Sequence, residues 1–262
     1  MACNTNYTVG LTSFTNSGCV NEFNCGCRCP DFVIKRHDTK PAFKVAISDC
    51  NGPMDLTGLV LEASMWACAK FKKAVSLSDT YFAVANNIGF QQALVGDIIV
   101  VDQVRNPEQM LIIGFDEVNK LIQVNRGYNG TPTSSYTKGT KINIFRVLNS
   151  VAQTESTYED QLQVDGTIKT DVLIKSELVY EWEPNDTCVP GCYNFEFKLL
   201  AMSSDMGMVQ SLSASITPSF ASYTPSEYGC SIGTNVDWVR RFPPEGSFLV
   251  QIANTNTSEN LV

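Results

Sequence analysis

The chain carries a single histidine, His37, among 262 residues. A Ser-His-Asp or Cys-His set could draw only on that imidazole, and no Gly-X-Ser-X-Gly elbow frames a serine, so His37 reads as a surface residue. A Walker-type loop and a Gly-X-Gly-X-X-Gly run before a helix are also missing, which removes the usual phosphate cradles. No apolar run approaches the ~18 residues of a membrane-spanning helix, so no membrane insertion is expected. Charge is sparse at 18% of residues, and 19 basic against 27 acidic side chains leave a net charge of -8. Phosphate backbones are held by clustered Lys and Arg, so this balance argues against a nucleic-acid partner. The longest basic cluster, Lys70-Phe71-Lys72-Lys73, reads as a solvated strand end. Met1-Ala2-Cys3-Asn4-Thr5-Asn6 lacks the basic and apolar regions of a signal peptide, so the chain is expected in the cytosol or in a particle assembled there. The sequon at Asn129 then carries no glycan.

Carboxylates and aromatics are present in number. Glu181 and Glu183, two apart on an expected strand, would share a face and could serve a glycosidase. Acids on a sheet surface are far commoner than such a pair, and no catalytic function is expected. Tyr223, Tyr228 and Trp238 lie in or near a loop rich in Ser, Pro and Gly. Their rings could stack on sugar faces while the polar tips hydrogen-bond, or they could anchor loops and subunit contacts, the bland reading being favoured.

What organises the chain is a β texture centred on Ile99 to Phe145. Asp97-Ile98-Ile99-Val100-Val101 and Met110-Leu111-Ile112-Ile113-Gly114-Phe115, separated by a polar turn at Asn106-Pro107-Glu108, predict a hairpin. A second turn, Asp116 to Lys120, precedes Leu121-Ile122-Gln123-Val124, and Asn129-Gly130 supplies the positive φ values of a tight turn. Before this module, Phe32-Val33-Ile34, Ala42 to Ile47 and Gly58 to Trp66 read as strands. After it come a long strand from Thr170 to Trp182 and an alternating one from Tyr193 to Leu199.

Two resemblances arise from these segments. Arg126-Gly127, Asn129-Gly130-Thr131 and Lys138-Gly139-Thr140 before Ile142-Asn143-Ile144 resemble a signature of tailed-phage fibre and other virion proteins, with Tyr136 where a His is usual. Phe43 to Ile47, Asp49, Gly52-Pro53 and Asp55-Leu56-Thr57-Gly58 are similar to the start of the immunoglobulin-like N-terminal domain of phage upper baseplate proteins. Asp55 and Thr57 there look like turn formers. Gly191-Cys192-Tyr193-Asn194-Phe195-Glu196-Phe197 and the Phe242-Pro243-Pro244-Glu245-Gly246-Ser247-Phe248 hairpin resemble that domain's later strands.

The resemblances imply an all-β chain in which an immunoglobulin-like β-sandwich is interrupted by a second small β module. The expected layout is a Cys-rich arm over 1-31, a split sandwich over 32-77 and 167-252, and an insert over 78-147. A linker over 148-166 and a tail over 253-262 complete it. Two or three strands in the first half could not cover an apolar face alone, which favours the split over a tandem. The implied role is a non-catalytic part of a tailed-phage virion, in the tail, baseplate, neck or fibre attachment, assembled in the host cytoplasm. Its partners would be other virion proteins and its own copies, in a trimer or ring. Receptor or glycan binding through Tyr223, Tyr228 and Trp238 is the alternative.

Ten cysteines are many for a cytosolic chain. Cys25, Cys27 and Cys29 alternate, so in an extended chain they would line one face, with Cys19 upstream. Four such thiolates could hold zinc or an iron-sulfur cluster, although the usual site uses two Cys-X2-4-Cys pairs. Cystines formed after release from a reducing cytosol are the second option, with Cys188 and Cys192 bridging their Pro-Gly turn. Free thiols are the third, and Cys50 and Cys68 are expected as small buried hydrophobes.

Overall fold

A computed structural model describes residues 6–9, 30–49, 52–57, 59–85, 87–101, 107–202, 236–243 and 247–254. In chain order the strands are β1 (Asn6–Val9), β2 (Phe32–Lys35), β3 (Phe43–Asp49), β4 (Gly52–Pro53), β5 (Leu59–Lys70) and β6 (Tyr81–Phe82). A one-turn helix α1 (Asn87–Gln92) precedes β7 (Ile98–Val101), β8 (Gln109–Asp116), β9 (Leu121–Asn125) and β10 (Lys141–Arg146). Then come β11 (Gln153–Leu162), β12 (Ile168–Tyr180), β13 (Gly191–Met202), β14 (Val236–Phe242) and β15 (Phe248–Ala253). The described chain is nearly all β, as expected, in a sandwich-like arrangement of two sheets. One runs β1-β3-β12-β11, with β4 also on β3. The other runs β2-β15-β13-β5-β10-β7-β8-β9-β6, with β14 also on β13.

Alternation explains the first core. Phe32 and Ile34 of β2, Phe43, Val45 and Ile47 of β3, and Tyr193, Phe195, Phe197 and Leu199 of β13 all turn inward between the sheets. Phe43, with no exposed surface, is its hub. Its ring meets Phe195 edge-on at 5.2 Å, stacks on Phe197 at 5.7 Å and meets Phe248 edge-on at 5.4 Å, the offset and T-shaped geometries that ring quadrupoles favour.

The second core lies beyond. Ile99, Val101, Met110, Ile112, Ile122, Val124, Ile142 and Ile144 fill the interior of the region expected as an insert, joined by Phe71 and Val75 from the span expected in the sandwich. Here the sheet closes on itself. Phe71 donates its N–H to Thr140 O on one side, while Lys72 N bonds Ala83 O and Ala85 N bonds Lys70 O on the other, linking the end of β5 to the segment after β6. Closure removes free sheet edges, so this module is a small barrel.

The two cores share a strand. β5 pairs with β13 over Leu59–Trp66 and with β10 over Met65–Lys70. It therefore sends Leu61 and Met65 into the sandwich and Ala69 into the barrel, while Trp66 on its opposite face stacks on Phe145 at 5.3 Å. The expected boundary near residue 77 falls after a strand that both modules use.

One expected segment is corrected outright. The span 148-166, read as a linker, contains β11, paired antiparallel to β12 from Gln153↔Val179 to Leu162↔Ile168. Its residues from Glu155 onward are exposed on both faces, so no inside-outside alternation marks it. Of the segment read as an irregular arm, residues 6–9 form β1 on the edge of β3.

Candidate assembly surface

Among the described residues, two buried ionic clusters in and beside the barrel and one projecting hairpin stand out, and a further buried carboxylate, Glu196, meets Lys198 at 3.4 Å and Arg241 at 3.3 Å. The first cluster is inside the barrel. Glu108, whose side chain has no exposed surface, receives Arg126 Nε at 2.8 Å and Nη2 at 2.6 Å, Ser134 N at 3.1 Å and the Tyr136 hydroxyl at 2.8 Å. Arg126 also donates to the carbonyls of Ser76 and Ser134, and its guanidinium lies 5.8 Å from the Tyr136 ring centre. Every lone-pair direction of the carboxylate is thus occupied, the condition under which a buried charge is tolerated. Tyr136 is a donor to Glu108, and its phenol is pushed well above its ordinary pKa by burial and by that carboxylate.

Local backbone supports this cluster. Gly127 sits at φ 63, Asn129 at φ 56 and Gly130 at φ 72, the left-handed turn anticipated at Asn129-Gly130, and Thr131 Oγ1 accepts Gln109 N. Sequence reading missed Glu108, which looks like an ordinary polar turn residue after Pro107. Arg126, directly after β9, was the available signal.

The second cluster joins barrel to sandwich. Arg146, at the end of β10, donates Nε to Asp97 at 3.1 to 3.2 Å and Nη2 to Gln92 O at 2.7 Å, and its guanidinium lies 5.6 Å from the Tyr193 ring centre. Gln92 reaches on to Cys192 O at 3.1 Å. A Cβ on Gly191 would sit 2.0 Å from Gln92 Nε2, so a larger residue there would displace the Gln92 side chain. Burial raises the Asp97 pKa from 3.8 to about 6 against the pull of Arg146.

The expected site residues divide. Cys188 is not disulfide-bonded, and its sulfur lies 3.9 Å from Arg146 Nη1, whereas Cys192 is held in a disulfide, so the two do not bridge their turn. The physical reason is strand alternation. Tyr193 faces the Arg146 side of β13 and Cys192 faces the other, which separates its sulfur from that of Cys188. Cys68 is exposed rather than buried, and Cys50 lies outside the described residues. Cys19, Cys25, Cys27 and Cys29 lie outside them too, and among the described residues no group of three or more His, Cys, Asp or Glu could hold a metal ion. Tyr223 and Tyr228 also fall outside, while the backbone of Trp238 is part of β14 opposite Leu200. His37 is exposed in a turn. Glu181 pairs with Lys40 at 3.1 Å on the surface, and Asp55 accepts Thr57 N at 2.9 Å as the expected turn former.

The hairpin of β11 and β12 differs from everything else. β12 pairs with β3 only over Glu177–Tyr180; Ser176 is still buried and Val172, Leu173 and Ile174 are half-buried, whereas β11 from Glu155 onward and β12 over 168–171 are exposed on both faces. At the tip Leu162 and Ile168 form a cross-strand apolar pair, 75% and 65% exposed, with Val164 in the turn and Tyr158 further back. Asp165 secures the turn by accepting Thr167 N at 2.9 Å and Oγ1 at 2.7 Å. A two-stranded ribbon with no third strand is marginal in water, and this one keeps its apolar pair in solvent.

No family model matches the chain, and no significant match is found among curated proteins. No helix among the described residues is long and apolar enough to cross a membrane.

Proposed function

We propose that the protein is a non-catalytic structural part of a tailed-phage virion, in the tail, baseplate, neck or fibre-attachment region, and that it works by holding copies of itself and other virion proteins in register. The observation that carries this reading is the β11–β12 hairpin, which leaves a two-core body and presents Tyr158, Leu162, Val164 and Ile168 to solvent. Its support is physical: apolar pairs kept on a projecting ribbon are contact elements. The two buried ionic clusters fit the same role, since each is consumed by internal hydrogen bonds that stiffen the barrel and its joint. The virion assignment itself rests on the sequence resemblances at Arg126-Gly127…Gly139 and at Phe43…Gly58. Repetition around a particle axis, as a trimer or ring, is the expected assembly.

The test is localisation. Peptide mass spectrometry of purified particles should recover this chain at a fixed copy number relative to the other tail proteins, and antibody-gold labelling should place it on the tail. A chain found in the soluble lysate and missing from particles would overturn the reading.

A further inference from the structure

We infer that the acidic tip of the hairpin docks, head to tail, on a lysine cluster at the far end of the barrel of a second copy of this chain. Between Thr157 and Asp171 the hairpin carries Glu159, Asp160, Asp165 and Asp171 against Lys169 alone, around the exposed Leu162–Ile168 pair. The complementary surface is where β5 ends and β10 begins. Lys70, Lys72, Lys73, Lys138 and Lys141 are all exposed there, and Lys141 stands directly across the ladder from Lys70. Like charges opposed on neighbouring strands repel, and none of the five has an ion-pair partner among the described residues. Exposed Leu77 and Tyr81, in the segment that follows Lys73, add an apolar component like that of the hairpin tip.

Strand register puts the two surfaces at opposite poles. β5 leaves the sandwich at Trp66 and reaches the lysines at Lys70, whereas β3 runs the other way, from Phe43 beside Phe195 to Ile47, which bonds Met54 near the start of β5. β12 is antiparallel to β3, so its unpaired part extends past that start, away from the barrel. Residues 157–171 project by about 25 Å at ~3.3 Å per residue. The tip of one copy therefore cannot fold back onto its own lysines, and the match is between copies. Two different surfaces meeting in this way make a heterologous interface, which closes into a ring or continues as a stack.

This inference deepens the assembly reading and rests on it only in treating the hairpin as a contact, so localisation and self-association can fail separately. The experiment uses the full chain and two variants, Glu159→Lys/Asp160→Lys/Asp165→Lys on the hairpin and Lys70→Glu/Lys72→Glu/Lys73→Glu on the barrel, in sedimentation velocity. Wild type should associate at low ionic strength, with at least tenfold weaker association when salt rises from about 50 to 300 mM, since screening acts on exposed charges. Each variant alone should sediment as a monomer, and an equimolar mixture should associate again, because each now offers what the other requires. Thermal melts matching wild type establish that both variants fold, and Leu162→Ser/Ile168→Ser supplies an uncharged loss-of-contact control. A monomeric wild type at about 100 µM, association indifferent to both reversals, or variants that fold but do not associate when mixed would each overturn the proposal.

Discussion

The barrel and the hairpin are neighbours in sequence and opposites in design. Among the described residues from Phe71 to Ile144 the strands close on one another, and the charge at the centre, Glu108, is met by Arg126, Tyr136 and Ser134. From Glu155 to Asp171 neither face of the ribbon is covered, and apolar side chains stand in water. The difference separates two sources of order. The barrel draws its stability from within, so damage to it appears in the isolated chain. The hairpin, with neither face covered, contributes little to the chain's own stability, so damage to it should leave that stability nearly unchanged.

The sharpest way to break the comparison is at Glu108. Glu108→Ala strands a buried guanidinium and should cost about 3–5 kcal/mol, read as a fall in the urea midpoint; a loss as small as that of a surface change would mean the barrel does not depend on its centre. The joint comes next. The folded Asp97 has a pKa of about 6 against 3.8, so its contribution is fully present below pH 3.8 and is lost as pH rises through 6. Relative to Asp97→Asn, wild type should therefore lose up to about 3 kcal/mol between pH 4 and 7.5, at ~1.4 kcal/mol per pKa unit. Urea midpoints of both proteins across that range would check it, and a difference that stays flat with pH refutes it. Tyr136→Phe removes one bond to a charged acceptor and should cost about 1.5–3 kcal/mol in the same assay, with no new pH dependence. Smallest is Leu162→Ser/Ile168→Ser, expected to move the monomer's stability by less than about 0.5 kcal/mol. A large loss there would show that the hairpin belongs to the body after all.

What the residues disclosed beforehand follows the same division. Ile98–Val101 and Gln109–Asp116 were legible because β-branched runs between Pro, Asn and Gly have few other ways to fold, and Asn129-Gly130 because left-handed turns select those residues. Phe43, Phe195 and Phe197 were legible from alternation. β11 was not, since a strand wet on both sides has no period to read, and Glu155-Ser156-Thr157 looks like any polar connection. Nor was the closure of the barrel, which depends on Lys70 to Lys72 reaching both Thr140 and Ala83, partners distant in sequence. Pairing of Asp97 with Arg146 across 49 positions is hidden for the same reason. The hairpin tip, the candidate surface itself, announced nothing because an unburied apolar pair is indistinguishable in sequence from a buried one.

β5 also has a mechanical meaning. If copies are strung pole to pole, tension entering at the hairpin leaves through the lysine end of the next barrel, and within each copy the strand that spans both modules is β5. Its ladders to β13 and β10 lie along that line, so the load shears many hydrogen bonds at once instead of unzipping them singly. Pulled between its poles, the protein should resist as one stiff rod, with the hairpin root at Glu177–Tyr180, only four residues wide, yielding first.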